Sequence, residues 1–334
     1  MKKIVILALA AVSALPAQGY HVIGKIQIGG TGFWDYAAID SNARRLYATH
    51  GTEVDVVDLN AGKLVGKIPQ LHFVHGVALA PELDKGFISN GQSNSVTIFD
   101  LKTLQKTGEP ATGGMNPDSI CYEPRTKRVF TFNGRSSNST AIDAKTGEPL
   151  TTFPVGGKPE FCAADGAGKL YVNLEDKSSI AEIDAAKPAV LRTASLAPCE
   201  EPSGLAIDTK DGVLFSVCDN KTMAVTDIKE LKVIATPAIG AGPDAAGYDP
   251  GTGLAFSSNG EGTLTVVKKN SGKWEAVETV PTERGARTMA VDLKTHRVYL
   301  LAAEYGPPAA AKSGEKKGRP SVLPDSFHAL IVGK

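Results

Sequence analysis

The sequence has no excess of either charge: 36 lysines and arginines balance 36 aspartates and glutamates in a chain of 334 residues. A protein that gathers nucleic acid or anionic lipid by bulk electrostatics needs a positive field, which this composition does not provide. Nucleic acid is therefore the least favoured partner. Beyond the first 17 residues no apolar run is long enough to cross a bilayer as a helix, so we expect no membrane span.

Sequence signatures of organic cofactors and of common nucleophilic enzymes are also missing. The chain has no Gly-x-Gly-x-x-Gly turn, no phosphate-binding loop and no Cys-x-x-Cys-His haem site. It has no Gly-x-Ser-x-Gly elbow either, so a serine hydrolase is disfavoured. We therefore expect no organic cofactor. The sequence leaves open whether a divalent metal binds, because ligands that are scattered in sequence leave no compact signature.

The first 17 residues have the pattern of a secretory signal peptide. Lys2 and Lys3 precede an apolar run at residues 4–14 that is too short to span a bilayer, and Ala14 and Ala17 are possible cleavage points. An uncleaved N-terminal anchor is the alternative interpretation. We predict residues 1–17 as the signal peptide and residues 18–334 as the mature protein, located in the periplasm or secreted.

A repeat organises the rest of the chain. Each copy has a short apolar strand that ends in Asp or a similar residue, then a second strand, and successive copies begin 40 to 43 residues apart. The seven copies begin at Asp35, His75, Asp118, Glu160, Ser203, Asp244 and Arg287. This period, with four short strands in each copy, is typical of β-propeller blades. We predict one all-β domain at residues 18–334, a single seven-bladed β-propeller.

The two ends of the chain are predicted to complete the same blade. The seventh copy ends with a third strand at residues 328–333 and lacks a fourth, whereas an extra strand at residues 21–28 precedes the first copy. Pairing of these N- and C-terminal strands would close the ring and leave no open sheet edge. We accordingly expect a monomer.

Several runs of residues resemble those of a known propeller family. They are Gly-Gly-Met-Asn-Pro-Asp at 113–118, Val-Gly-Gly-Lys-Pro-Glu at 155–160, Leu-Tyr-Val-Asn at 170–173 and Leu-Ala-Phe-Ser-Ser-Asn-Gly at 254–260. With these motifs the chain resembles the exported YncE-like propellers built from YVTN repeats, over essentially the whole mature region. The resemblance implies a seven-bladed propeller in the periplasm or outside the cell.

Polar side chains recur at the two strand ends that face one mouth of the channel. Strand 2 runs antiparallel to strand 1, so the residue that opens strand 1 and the residue that closes strand 2 share this mouth. The opening residues are the seven that begin the copies; the closing residues are His50, Asn90, Asn133, Asn173, Asp219, Asn259 and Glu304. Propellers often bind ligands at such a mouth, although loops that cap strands are also polar for structural reasons alone.

The first functional hypothesis is a binding protein for a polar small molecule, a peptide or a cell-envelope protein. The predicted ligand contacts are Asp35, His75, Asn90, Asp118, Asn133, Glu160, Asn173, Asp244, Asn259, Arg287 and Glu304. Basic residues beside these carboxylates suit a zwitterionic ligand; they are Arg135, Lys158, Lys177, Arg284 and Arg287. Phe33 and Trp34 would either add a stacking wall or pack between blades.

The alternative hypothesis is a metal-assisted lyase or hydrolase at the same mouth. The candidate metal ligands are His50, His72, His75 and Asp35, because imidazole with carboxylate suits a divalent transition metal. The candidate catalytic residues are His75, Glu160 and Asp118. Carboxyl groups confined together can take different pKa values, and histidine titrates near neutral pH, so these residues could act as acid and base.

One segment interrupts the repeat between strands 2 and 3 of blade seven. Residues 305–324 replace a short turn and are rich in proline and glycine. We expect this composition to prevent regular strand pairing, and the position places the segment at the same mouth. The insertion is predicted to be either a lid over the mouth or a solvated loop.

The four cysteines fall into two pairs. Cys199 precedes strand 1 of blade five and Cys218 ends strand 2 of that blade, so both reach one rim and we predict a disulfide between them. Cys121 and Cys162 lie in the first strands of adjacent blades, on faces that can confront each other. We expect these two to be buried free thiols that pack as small apolar residues.

Overall fold

The computed structural model describes residues 19–308 and 320–334, and the predicted signal peptide lies outside them. The described residues form seven four-stranded antiparallel sheets and one two-stranded sheet. The predicted all-β, seven-bladed propeller is therefore confirmed. The helices of this part of the chain are two single 3-10 turns, Pro81–Leu83 and Glu175–Lys177, so none of them could cross a membrane.

In each blade, strand 1 is innermost and strand 4 outermost. The strands of blade 1 are Trp34–Asp40, Arg45–His50, Glu53–Asp58 and Lys63–Ile68. Those of blade 2 are Val74–Ala80, Lys85–Asn90, Ser95–Asp100 and Lys106–Gly108. Those of blade 3 are Pro117–Glu123, Arg128–Asn133, Asn138–Asp143 and Pro149–Pro154.

Blades 4 to 6 repeat the pattern. The strands of blade 4 are Pro159–Ala164, Lys169–Leu174, Ser179–Asp184 and Ala189–Ser195. Those of blade 5 are Pro202–Asp208, Val213–Cys218, Thr222–Asp227 and Lys232–Ala235. Those of blade 6 are Pro243–Asp249, Leu254–Asn259, Thr263–Asn270 and Lys273–Pro281.

Blade 7 joins the two ends of the described chain. Its strands are, from the inside outwards, Thr288–Asp292, Arg297–Ala302, His328–Gly333 and His21–Gln27. The N-terminal strand pairs antiparallel with the C-terminal strand, in a register that places Lys25 opposite Leu330. The predicted closure is thus confirmed, and the blade has the same four strands as the others.

The core lies between the blades. Strand 2 of each blade is covered on both faces by its neighbours and is almost completely buried, as Leu46, Tyr47 and Ala48 show with no exposed surface. The outer strands instead alternate between exposed and partly buried residues, as in Lys63–Ile68. The stack of blades therefore fixes the inner strands rigidly around the channel.

Two disulfides connect the inner part of the propeller. The predicted Cys199–Cys218 bond is present, with the Cα atoms 5.5 Å apart. The expectation of free thiols at Cys121 and Cys162 is wrong, because these residues form a second disulfide with the Cα atoms 6.2 Å apart. Blades converge toward the axis, which brings the first strands of blades 3 and 4 within the range that a disulfide spans.

The insertion in blade 7 begins and ends as a paired stem. Tyr305–Pro308 and Pro320–Val322 form the two-stranded sheet, with Tyr305 opposite Val322. This corrects the expectation that proline and glycine prevent pairing. The adjoining strands 2 and 3 of blade 7 already hold both ends of the insertion together, and the Leu323 N–H donates to the Glu304 carbonyl at 2.8 Å. Residues 309–319, on which the lid prediction depends, lie outside the described residues.

Candidate ligand-binding mouth

A local irregularity at the start of strand 1 turns one side chain of each blade toward the mouth. In blades 1 to 6 the pairing of strands 1 and 2 shifts register immediately after the first residue of strand 1. Such a bulge re-aims the residue that it contains. The residues at this place are Asp35, His75, Asp118, Glu160, Ser203 and Asp244, and Arg287 directly precedes strand 1 of blade 7. We call the six ionisable members the mouth ring.

Two aromatic side chains cross the channel beside the ring. Tyr36 of blade 1 and Phe161 of blade 4 meet edge to face, with ring centroids 4.8 Å apart. Blades 1 and 4 are not neighbours, so this contact spans the channel. Burial raises the pKa of Tyr36 well above its usual value, and the charges of Asp118, Asp35, Glu160 and Asp244 raise it further.

Sequence reasoning missed Tyr36 and Phe161, although a signal was present. The residues that follow the mouth-ring position in the other blades are small: Gly76, Ser119, Gly204, Ala245 and Thr288. Only blades 1 and 4 place an aromatic side chain there. Two large residues at a position that otherwise needs small ones indicate that they fill the channel itself.

His75 joins two carboxyl groups of the ring. Its Nδ1 lies 2.7 Å from Asp35 Oδ2 and 3.6 Å from Asp118 Oδ1. Burial alone would lower the pKa of His75, but the hydrogen bond to Asp35 and the nearby Asp118 outweigh it and raise this pKa. The Nε2 atom is buried without a hydrogen-bond partner in the described chain and faces Gly91, whose missing side chain makes room for it.

Two further carboxyl groups of the ring have basic partners. Lys158 Nζ lies 2.8 Å from Glu160 Oε1 and also pairs with Glu175, and Arg287 lies 3.1 Å from Asp244 Oδ2. Burial nevertheless raises the pKa of Glu160 to about 8, with repulsion from Asp118 as the next cause. Burial likewise raises the pKa of Asp244 and of Asp118 to about 6. The ring therefore contains more carboxyl groups than its basic partners can hold in the ionised form.

The structure divides the predicted metal ligands between two places. Ligand atoms of Asp35, His75 and Asp118 all lie within 4.8 Å of one another. His50 instead belongs to a separate group in blade 1, in which its Nδ1 lies 2.9 Å from Asp55 Oδ2 and near Glu53. Lys67 Nζ contacts both of those carboxylates at 2.7 and 3.2 Å. His72 is exposed and joins neither group of the described residues.

The predicted asparagine contacts are fully buried inside the blades. Asn90 donates to Ser95 and Thr97 of strand 3, at 3.2 and 2.9 Å. Asn133 and Asn259 make the equivalent bonds to strand 3 of their own blades. Asn173 donates to the carbonyls of Ser203 and Gly204 and so links blade 4 to blade 5. Three of these amides thus stabilise their own blade and Asn173 links two blades, and we do not retain the four in the proposed site.

The remaining closing residues lie at the periphery. Glu304 is exposed and pairs with Lys25 of the outer strand of blade 7 at 3.6 Å. Asp219 follows the last residue of its strand and lines an acidic surface groove with Glu200 and Glu201. Ser203 occupies the mouth-ring position of blade 5, where its hydroxyl donates to the Pro243 carbonyl at 3.1 Å.

The fold and the site together define a seven-bladed β-propeller with a strongly ionisable mouth. No protein-family model matches the chain. It is 27% identical over 152 residues to the proteins named "Uncharacterized protein YncE" of Salmonella typhi and Salmonella typhimurium, over 42% of this chain and 42% of each relative. It is 25% identical over 288 residues to "Antigen Lp49" of Leptospira interrogans, over 75% of this chain and 60% of that protein.

These similarities and the blade count confirm the resemblance to YncE-like propellers. The matched regions span less than two thirds of each of these relatives, at 42% and 60% of their length. The two disulfides are typical of proteins in an oxidising compartment, which indicates a location outside the cytoplasm.

Proposed function

We propose that the mouth ring binds a polar ligand through a positively charged group, such as the ammonium of a small molecule or a peptide. The observation that carries this proposal is that blades 1, 3, 4 and 6 each place a carboxyl group at the mouth-ring position, with ligand atoms of Asp35 and Asp118 within 4.8 Å of each other. Even with His75 protonated, Arg287, Lys158 and His75 face five carboxyl groups, those of Asp35, Asp118, Glu160, Glu175 and Asp244. A ligand cation would balance the remainder.

The raised pKa values support the same proposal. Burial raises the pKa of Glu160 and of Asp118 even though Lys158 and His75 lie beside them, so these partners offset only part of the cost of ionising the two buried carboxyl groups. An incoming cation would stabilise the ionised form of Glu160 and Asp118 and recover part of that cost. The site therefore favours a positively charged ligand group, because the protein itself does not supply enough positive charge.

We further propose that residues 1–17 export the protein and that it acts as a monomer in the periplasm or outside the cell. The N-terminal charge and hydropathy pattern supports export, and the two disulfides are compatible with it. The partner would then be a solute or a peptide of that compartment.

Isothermal titration with phenethylammonium at pH 7 tests the proposed function. We expect saturable binding to the native protein, and about a tenfold weaker affinity for Asp118→Asn, because one carboxylate that faces the ammonium is lost. Asp211→Asn is the matched control, since it removes one exposed carboxylate from the turn between strands 1 and 2 of blade 5, at the end of the blade opposite the mouth, where it pairs with Lys269. Equal affinities for both variants, or the absence of any binding heat, would contradict the proposal.

A metal-assisted lyase or hydrolase is the second candidate function, and one observation favours it. The atoms of Asp35, His75 and Asp118 lie as close together as the ligands of a common ion do, and one imidazole with two carboxylates suits a divalent transition metal. A bound metal would polarise a substrate oxygen. Glu160, kept protonated by its raised pKa of about 8, would be the proton donor of such a reaction.

Elemental mass spectrometry on protein purified without chelator tests the metal candidate. One equivalent of a transition metal, lost in His75→Ala and retained in His72→Ala, is the expected result for this function. Protein that stays metal-free after soaking in zinc or manganese salts refutes it and leaves the binding protein as the function.

A further inference from the structure

A cavity adjoins the mouth ring, between blades 6, 7 and 1. Its volume is about 760 Å³, the size of a small-molecule site. The lining residues that matter here are Phe33, Trp34, Arg284, Gly285, Arg287 and Tyr305. Arg287 belongs both to this cavity and to the ring, so a single small molecule can reach both. We call it the arginine cavity.

Aromatic side chains form the walls of the arginine cavity. Trp34 packs between Tyr305 and Phe327, with ring centroids 6.3 and 5.5 Å away, and is held there by burial. Phe33 stacks on Phe73 at 5.0 Å with nearly parallel planes. The sequence left open whether Phe33 and Trp34 form a stacking wall or pack between blades. Trp34 does both, because it is buried against Tyr305 and Phe327 and also lines the cavity. The walls suit an aromatic or other flat apolar group.

Glycines at the edge of the cavity keep it open. Gly285 has a positive φ of 85°, and a side chain there would come within 2.5 Å of the Tyr305 hydroxyl. The backbone can therefore pass closely beneath the Tyr305 ring. Tyr305 itself begins the paired stem of the blade 7 insertion, which fixes its position against blade 1.

Two guanidinium groups face this cavity, and only one of them has a carboxylate partner among the described residues. Arg287 pairs with Asp244 at 3.1 Å. Arg284 is exposed and forms no ion pair within residues 19–308 and 320–334. Guanidinium groups bind carboxylates through paired N–H donors, so an anion between Arg284 and Arg287 would complete the charge balance of the cavity.

We propose that the arginine cavity binds the aromatic body and the carboxylate of an amphoteric small molecule, of the chemical class of an aromatic amino acid. The mouth ring binds the ammonium of the same molecule, and only this part rests on the proposed function above. Opposite charges on adjacent surfaces, with an aromatic wall beside them, match the two charges and the ring of such a ligand.

Three probes separate the two surfaces by isothermal titration at pH 7. Phenylacetate carries the ring and the anion, phenethylammonium carries the ring and the cation, and L-phenylalanine carries all three groups. We expect L-phenylalanine to bind more tightly than either of the others. Arg284→Ala should lower the affinity for phenylacetate and for L-phenylalanine about tenfold and leave the affinity for phenethylammonium unchanged. Arg297→Ala, which removes an exposed arginine from the start of strand 2 of blade 7, at the end of the blade opposite the mouth, is the matched control.

The outcomes distinguish failure of the two proposals. The arginine-cavity proposal is overturned if phenethylammonium binds and phenylacetate does not. It is also overturned if phenylacetate binds the native protein and Arg284→Ala with equal affinity. Either result leaves the ring proposal standing. Phenylacetate binding that depends on Arg284, without phenethylammonium binding, supports the cavity and overturns the ring. No binding of any probe overturns both.

Discussion

The Gly204→Ala variant is expected to lose about 3 kcal/mol of its free energy of unfolding, because it places a methyl group between two backbones. Gly204 lies in strand 1 of blade 5, against strand 1 of blade 6. An added Cβ would lie 2.5 Å from the amide nitrogen of Ala246 and 2.6 Å from the Cα of Ala245. Backbone atoms of a central strand cannot turn aside as a side chain can, so the blades must separate.

Urea unfolding followed by circular dichroism measures this loss. Gly108→Ala is the matched control: it lies in the short outer strand of blade 2, and its added Cβ would meet nothing closer than Ile98 Cδ1 at 3.6 Å. We expect that control to change stability by less than about 1 kcal/mol. Equal unfolding free energies for the two variants would show that the inner strands are not packed as closely as described.

The Glu160→Gln variant is expected to be more stable than the native protein at pH 9, by about 1–3 kcal/mol, and nearly equal to it at pH 5. Burial raises the pKa of Glu160 to about 8 in the folded state, against an ordinary value near 4.3 in the unfolded chain. The folded state therefore holds a proton that the unfolded state releases between these pH values. Native stability must then fall as the pH rises through this window.

Glutamine removes that dependence, because it cannot ionise. It also removes the Glu160 ion pair with Lys158, but Lys158 keeps Glu175 as a partner. Thermal unfolding at pH 5 and pH 9 is the measurement, with Glu148→Gln, an exposed glutamate on an outer turn, as control. A variant that is destabilised equally at both pH values would contradict the raised pKa. The expected result means that the ring is kept at a cost to stability, as binding sites often are.

The periodicity of the sequence was sufficient for the fold, since seven evenly spaced copies, of which the last lacks one strand, and one extra strand before the first copy allow one closed arrangement. The same repeat located the mouth ring, because its members occupy one position in every blade. It could not show which strand-2 residues point to the channel. Asn90 points into its own blade, and the Ser95 and Thr97 that receive its amide five and seven residues later were the available signal.

Other features of the site depend on distances between blades. The alternation of side chains between the two faces of one strand does not determine those distances. Predicting the Cys121–Cys162 disulfide would have required the distance between the first strands of two neighbouring blades. Asn173 lies one residue before the end of its strand, and Leu174 takes the place that Asn90 has in blade 2. The cavity at Arg284 and Trp34 joins residues of blades 7 and 1, which are distant in sequence and meet only because the ring closes.

Calorimetric titration of the native protein with phenethylammonium, in two buffers of different ionisation enthalpy at pH 7, tests the central claim most directly. Ring carboxyl groups that burial keeps partly protonated must release protons when a cation binds, because its charge stabilises their ionised form. We predict an observed enthalpy that differs between the buffers and corresponds to proton release, and a smaller difference in Glu160→Gln. Binding with the same enthalpy in both buffers, or no binding, would contradict the claim that the mouth is a site for a positively charged group.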